Sequence, residues 1–157
     1  MDVPRRKCLP HSITPWVDPA KEFYFITIAC ADRFTNQLAL PGVSERLFET
    51  VRRRQEERIW HPWLFLLMPD HVHALISFPP TGKPLRSVVA LWKKWTAHDI
   101  GIVWQRDFFE HRLRHHESRR GKADYILQNP VRKGLAGRPE EWPFVYFAGG
   151  RPPQFDR

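Results

Sequence analysis

The sequence predicts an α+β domain: a four-stranded antiparallel sheet with helices on one face, the ferredoxin-like or RRM-like plan. Three observations lead there. Strand-like and helix-like segments alternate in the order β, α, β, β, α, β, α; the strand-like runs are rich in aromatic and β-branched residues; and no internal repeat or low-complexity tract competes.

Glu22 to Cys30 (EFYFITIAC) reads as a buried first strand. After Pro41-Gly42, Ser44 is placed to cap a helix running to about Ile59, with Val43, Leu47, Phe48 and Val51 on one side and Arg52, Arg53, Arg54, Glu56 and Glu57 mostly on the other. Trp63 to Met68 and His71 to Phe78 are apolar runs of strand length separated only by Pro69-Asp70, which suits a hairpin or two abutting strands. Helical spacing returns from Leu85 to Ala97, where Leu85, Val88, Val89, Trp92 and Trp95 are expected to face inward while Lys93 and Lys94 project elsewhere. Phe108 to Leu113 is a fourth strand. Ser118 to Gln128 is a third helix, which stops because Pro130 disfavours helical geometry at Asn129.

A length of 157 residues with 42% hydrophobic and 27% charged residues suits one packed domain, with its core at about residues 22 to 147. Prolines 4, 10, 15 and 19 at the start and 139, 143, 152 and 153 at the finish suggest an extended basic N-terminal arm and a proline-rich tail. The longest clean apolar run, Trp63 to Met68, is far short of the roughly 20 residues a bilayer crossing needs. Arg5, Arg6 and Lys7 are followed by Pro10, His11 and Ser12 where a signal peptide needs a continuous apolar stretch. Cys8 and Cys30 form no CxxC pair and no disulfide framework. A soluble protein of a reducing, bacterial-type cytoplasm is expected, with no membrane partner.

The formal charge is +8 and the pI about 10, which suggests a polyanionic partner such as nucleic acid or an acidic membrane surface, without choosing between them. Between residues 106 and 138 nine Lys/Arg stand against four Asp/Glu, so over half of the net charge lies there, with His111, His115 and His116 besides. Basic residues interleaved with Trp and Phe suit a surface that follows phosphates and stacks unpaired bases, whereas each charge taken singly is equally at home on a solvated helix face.

Two local patterns carry chemistry. In His71-Val72-His73 the imidazoles at i and i+2 of a strand point to one face while Val72 enters the core; such a pair suits two metal ligands or two hydrogen-bonded surface histidines, and two ligands alone leave a metal site incomplete. In Ala-Asp-Tyr-Ile-Leu-Gln-Asn-Pro, Tyr125 and Asn129 are four apart and would share a helix face, either as a phenol beside an amide oxygen or as a packing tyrosine with a helix-ending Asn-Pro.

Leu67-Met68-Pro69-Asp70-His71-Val72-His73, then Val103-Trp104-Gln105-Arg106 with Phe108-Phe109-Glu110-His111, then Asp124-Tyr125-Ile126 with Asn129-Pro130-Val131-Arg132-Lys133-Gly134-Leu135 occur in that order. Together they resemble the single-tyrosine HUH transposases and, more narrowly, the REP-associated tyrosine transposases, whose members also carry a Trp-Pro step after the tyrosine helix, here Trp142-Pro143. The similarity spans roughly residues 22 to 147. It implies a metal-dependent endonuclease and strand transferase that reads a palindromic repeat folded as a hairpin in single-stranded DNA and cleaves through a covalent 5′-phosphotyrosine. Tyr125 would be the nucleophile. His71 and His73 would hold a divalent metal, Mg²⁺ or Mn²⁺, with Asn129 as third ligand and Gln128 as its alternative, since wider relatives often have Gln there. Asp70 stands where the family more often has Asn. Lys93, Lys94, Arg106, Arg112, Arg114, Arg132 and Lys133 are the candidate DNA contacts. The resemblance also implies a nucleoid-associated location, and the REP-associated branch leans toward a monomer.

Two other functions fit the same residues. One is a hairpin-binding module derived from such an enzyme but without catalysis, and the other a metal-dependent phosphodiesterase that activates water in place of tyrosine.

Overall fold

A computed structural model describes residues 22–80, 82–114 and 117–155. The N-terminal arm with Cys8, and His115 and His116, lie outside the described residues. The elements in chain order are β1 (Tyr24–Ala29), α1 (Pro41–Glu56), β2 (His61–Leu67), β3 (His71–Ser77), α2 (Leu85–Ile100), β4 (Phe109–Arg112), α3 (Arg119–Leu127), α4 (Asn129–Arg132) and β5 (Val145–Tyr146), with a 3-10 turn at Pro139–Glu141.

All pairings are antiparallel, and the strand order is β4-β1-β3-β2-β5, which puts β3 in the middle. The sheet therefore has five strands where four were expected. The fifth, Val145–Tyr146, is two residues long and pairs with Phe65 and Leu66, too short to leave a strand pattern in the sequence.

Helices cover both faces, a second departure from expectation. Ile26 and Ile28 of β1, Val72, Ala74 and Ile76 of β3, and Phe65 and Leu67 of β2 pack against Leu47 and Val51 of α1 and Val88, Val89 and Trp92 of α2. The alternate residues, Phe25, Leu75, Leu64 and Leu66, pack against Ala123 and Ile126 of α3. With apolar material on both sides, β2 is buried along its whole length.

Local chemistry explains the remaining differences. Pro41 opens α1, its fixed φ suited to the first turn, so Ser44 is not a cap; its hydroxyl donates to Pro41 O at 3.0 Å inside the helix. α2 runs on to Ile100 and ends at Gly101 in the left-handed region, φ 88°. Its buried stripe is Val88, Val89, Trp92, Lys93 and Thr96, which puts Lys93 inside and leaves Trp95 56% exposed. Ser118 caps α3 by accepting from Gly121 N at 2.9 Å. Buried and half-buried indole N–H groups find acceptors: Trp60 on Val51 O, Trp92 on Thr50 Oγ1, Trp104 on Thr96 Oγ1 and Trp142 on Leu67 O. No helix among the described residues is long and apolar enough to cross a membrane.

His61, 1% exposed, is pushed down by burial to about 4, from an ordinary value near 6.5. The unfolded chain takes up this proton below about pH 6.5 and the folded chain only near pH 4, so the ring's contribution is complete above pH 6.5 and is lost as pH falls through 4. Urea unfolding between pH 7.5 and 4.5 is expected to show a fall in stability to which His61 contributes roughly 2–3 kcal/mol, and His61→Leu a fall shallower by about that amount; equal slopes would remove His61 as a cause.

Candidate functional site

Strand alternation carries Val72 into the core and sets His71 and His73 on the face that α3 covers. Their Nε2 atoms lie 3.2 Å apart, and each ring is anchored through its other nitrogen. His71 Nδ1–H donates to Asp70 Oδ1 at 2.7 Å, and His73 Nδ1 lies 3.0 Å from Thr27 Oγ1, on the cross-strand partner of His73 in β1. An ionised carboxylate only accepts, so the proton of neutral His71 sits on Nδ1 and its Nε2 is a lone pair.

Asp70 is itself held. Its Oδ2 accepts from Arg33 Nε at 2.8 Å and from Phe34 N at 2.9 Å. Burial raises the pKa of this carboxyl, but the hydrogen bonds from Arg33, Phe34 and His71 outweigh it and hold the group well below the usual carboxylate range. Burial lowers both imidazoles, His73 to about 3, with the positive charge of Arg132 helping to lower His73 and that of Lys133 to lower His71. Both rings are neutral at pH 7, the state in which imidazole binds metal.

Two nitrogens bound at about 2.0–2.1 Å are about 2.9 Å apart at a right angle and about 3.4 Å apart at a tetrahedral angle. The 3.2 Å between the two Nε2 atoms falls in that interval, and a carboxylate and a hydroxyl behind the rings form the outer layer that metal-binding histidines use. Among the described residues no third His, Cys, Asp or Glu joins them in a metal-binding group. Asn129 is 6% exposed, whereas Gln128 is exposed. The chain does not simply stop at Asn129: α3 ends at Leu127 and Asn129 opens the single turn α4, with Pro130 in a position where its missing N–H costs nothing. Tyr125 and Asn129 consequently differ in exposure, 49% against 6%, rather than sharing one open face.

Phe25 links the tyrosine to the histidines. Its ring stacks on His73 (centroids 5.6 Å, 19°) and meets Tyr125 edge-on (6.2 Å, 78°) and Phe109 at 6.1 Å. Lys122 Nζ lies 4.8 Å from the Phe25 centroid and 5.4 Å from that of Tyr125, while the Arg132 guanidinium lies 4.3 Å over Tyr125 and donates to its carbonyl. Arg119 covers Phe23 at 4.4 Å. Sequence reading missed Thr27, Arg33, Lys122 and Arg119 as parts of this surface; the three-residue spacing of Arg119, Lys122 and Tyr125 along α3 is the signal that could have found the last two.

The predicted basic residues divide. Arg132 and Lys133 reach the histidines by charge. Arg106 and Arg114 are exposed. Arg112 is paired in register with Tyr24, whose ring packs with the α1/α2 layer, and its guanidinium contacts Glu22 at 3.4 Å; Lys94 is exposed on α2. Lys93 does not serve as a surface contact. It is buried, and its Nζ donates to Gln105 O at 2.7 Å and Arg106 O at 2.8 Å, because a buried ammonium needs acceptors and the segment before β4 supplies them.

No family model matches the chain. It is 32% identical over 126 residues to the REP-associated tyrosine transposase of Escherichia coli K12, covering 79% of this chain and 75% of that protein. It is 24% identical over 140 residues to a Haemophilus influenzae protein assigned to the same group, covering 79% and 78%. A solved REP-associated tyrosine transposase bound to a REP hairpin superposes with a TM-score of 0.69 over 92% of this chain and 82% of its own, at 24% identity, and so shares the fold.

Lys93→Met is expected to destabilise the protein by about 1–3 kcal/mol, since it removes two charge-assisted hydrogen bonds, to the carbonyls of Gln105 and Arg106. DNA affinity of the folded fraction should be unchanged; a loss of affinity without loss of stability would return Lys93 to the binding surface.

Proposed function

The chain belongs to the REP-associated tyrosine transposases, and on that premise we propose that it is a metal-dependent single-stranded DNA endonuclease and strand transferase acting at palindromic hairpin repeats through a covalent 5′-phosphotyrosine. The observation that carries this reading is the pair of neutral imidazoles with Nε2 atoms 3.2 Å apart, anchored from behind by Asp70 and Thr27 and joined to Tyr125 through Phe25. The hairpin-bound relative supports the choice of substrate.

Tyr125 Oη attacks phosphorus, the bond from phosphorus to the 3′ oxygen breaks, the tyrosine proton passes to solvent, and the departing oxygen takes up a proton to become a 3′-hydroxyl. The phosphotyrosine keeps the energy of the broken diester, so a 3′-hydroxyl from another strand can attack it and reseal with no nucleotide triphosphate. His71, His73 and Asn129 would hold a divalent ion, Mg²⁺ or Mn²⁺, which when bound would supply Lewis-acid stabilisation of the charge that develops on the phosphoryl oxygens. Asp70 and Thr27 fix which nitrogen of each ring faces outward. The half-exposed Tyr125 ring is open to a passing strand, and the nearby Lys122 and Arg132 attract its phosphates. Arg106, Arg114 and Lys133 are further candidate phosphate contacts, whereas Lys94 and Arg112 lie toward the α1/α2 layer, on the face away from the histidines. The enzyme acts as a monomer at the nucleoid.

End-labelled hairpins with single-stranded flanks, taken from palindromes beside the gene, should give a slowly migrating adduct on denaturing gels with Mn²⁺ and none with chelator. Tyr125→Phe should abolish the adduct while sparing DNA binding, and His71→Ala should abolish it as well. Binding without an adduct would favour the non-catalytic module, and hydrolysis that survives Tyr125→Phe would favour water activation. Asp70→Ala leaves His71 without an acceptor for its Nδ1–H and is expected to weaken Mn²⁺ binding by roughly 10- to 100-fold in calorimetry; unchanged affinity would mean that the side chain only holds the turn.

A further inference from the structure

We propose that Phe34 is a stacking platform for an unpaired nucleobase of the DNA strand beside the histidine pair. The inference rests on the single-stranded DNA reading and adds to it a subsite outside the predicted contacts.

Phe34 is 98% exposed, the most exposed of the large apolar side chains among the described residues. Its backbone is in the left-handed region, φ 69°, a conformation shared among the described non-glycine residues only with Arg58. Glycine or asparagine is the ordinary occupant of such a turn position, because a β-carbon is crowded there. A bare ring in a disfavoured backbone gives folding nothing, so its use has to be sought in what it meets outside the chain.

The ring is not on a wandering loop. Phe34 N donates to the same oxygen of Asp70 that accepts from Arg33, and the other oxygen of that carboxylate holds His71. The turn is fastened further by Gln37 N and Leu38 N, which both donate to Pro69 O, at 2.8 and 3.1 Å, and by Gln37 Nε2 donating to Asp32 O. Two hydrogen bonds through one carboxylate therefore tie the position of Phe34 to that of His71. The ring stands on a turn fastened to the carboxylate that also holds His71.

The chemistry of the neighbourhood selects the occupant. Arg33 is adjacent, with its side chain 42% exposed, and Lys133 and Arg132 add positive charge toward the histidines. A flat apolar ring beside cations is the combination that takes a base on its face and the flanking phosphates on the charges, without demanding a particular base.

The test uses the full chain and a hairpin whose single-stranded flank carries 2-aminopurine at successive positions. Wild type should quench the probe at one flank position. Phe34→Ala should lose the quenching and bind the flanked hairpin roughly tenfold more weakly, while binding a flankless hairpin as wild type does; Phe34→Trp should restore both signals. Phe34→Gly relieves the backbone, so it should melt roughly 2–4 °C higher and still bind as weakly as Phe34→Ala. Quenching and affinity unchanged in Phe34→Ala overturn the proposal while leaving the enzymatic reading intact. A lower melting temperature for Phe34→Gly overturns it in favour of a structural ring, and a change confined to self-association overturns it in favour of a contact between copies. Failure of wild type to bind any flanked hairpin removes the reading on which it rests.

Discussion

One buried carboxylate organises the site. Asp70 accepts from the Nδ1–H of His71, the Nε of Arg33 and the backbone N–H of Phe34, three donors from two separate turns converging on two oxygens. Burial works against a charge there, and the donors together outweigh it. The consequence is geometric: the turn after β1, the turn between β2 and β3, and the first imidazole cannot shift independently. Thr27 does the equivalent for the second imidazole from the neighbouring strand, so the relative position of the two rings is set by the sheet itself.

The sheet can do this because it is covered on both sides. α1 and α2 close one face, and α3 closes part of the other, leaving open the ground around Tyr125 and Phe109. Phe25 shows the arrangement at the scale of one residue. Its ring is buried between a histidine and a tyrosine, so the same contacts that stabilise the layer under α3 hold the two halves of the site together.

Much of this is legible in the sequence, and what is not has identifiable causes. The His-Val-His alternation reads directly because a strand has a period of two, and a buried valine between two histidines leaves one choice of face. α3 and its cap are legible because Ser118 is followed by a chain with no competing start. The phase of α2 is not: Trp95 is the better apolar candidate by type, yet the stripe that faces the sheet passes through Lys93, whose ammonium finds two carbonyls that only the folded chain brings near. Nor is the second helical layer, since α3 has only Ala123 and Ile126 buried and reads as a solvated helix. Asp70 is visible as a charge beside the histidines, but its partners Arg33 and Phe34 are more than thirty residues away, and nothing local announces them.

The rims of the sheet carry a consequence of their own. β4 is four residues long and β5 two, while the three strands between them have six or seven. Tapered margins of this kind offer a stranger's backbone little length to zip onto. Encounters between molecules of this highly basic chain are therefore left to side chains, which salt and nucleic acid can dissolve, and kept away from the cross-strand ladders that make aggregates permanent.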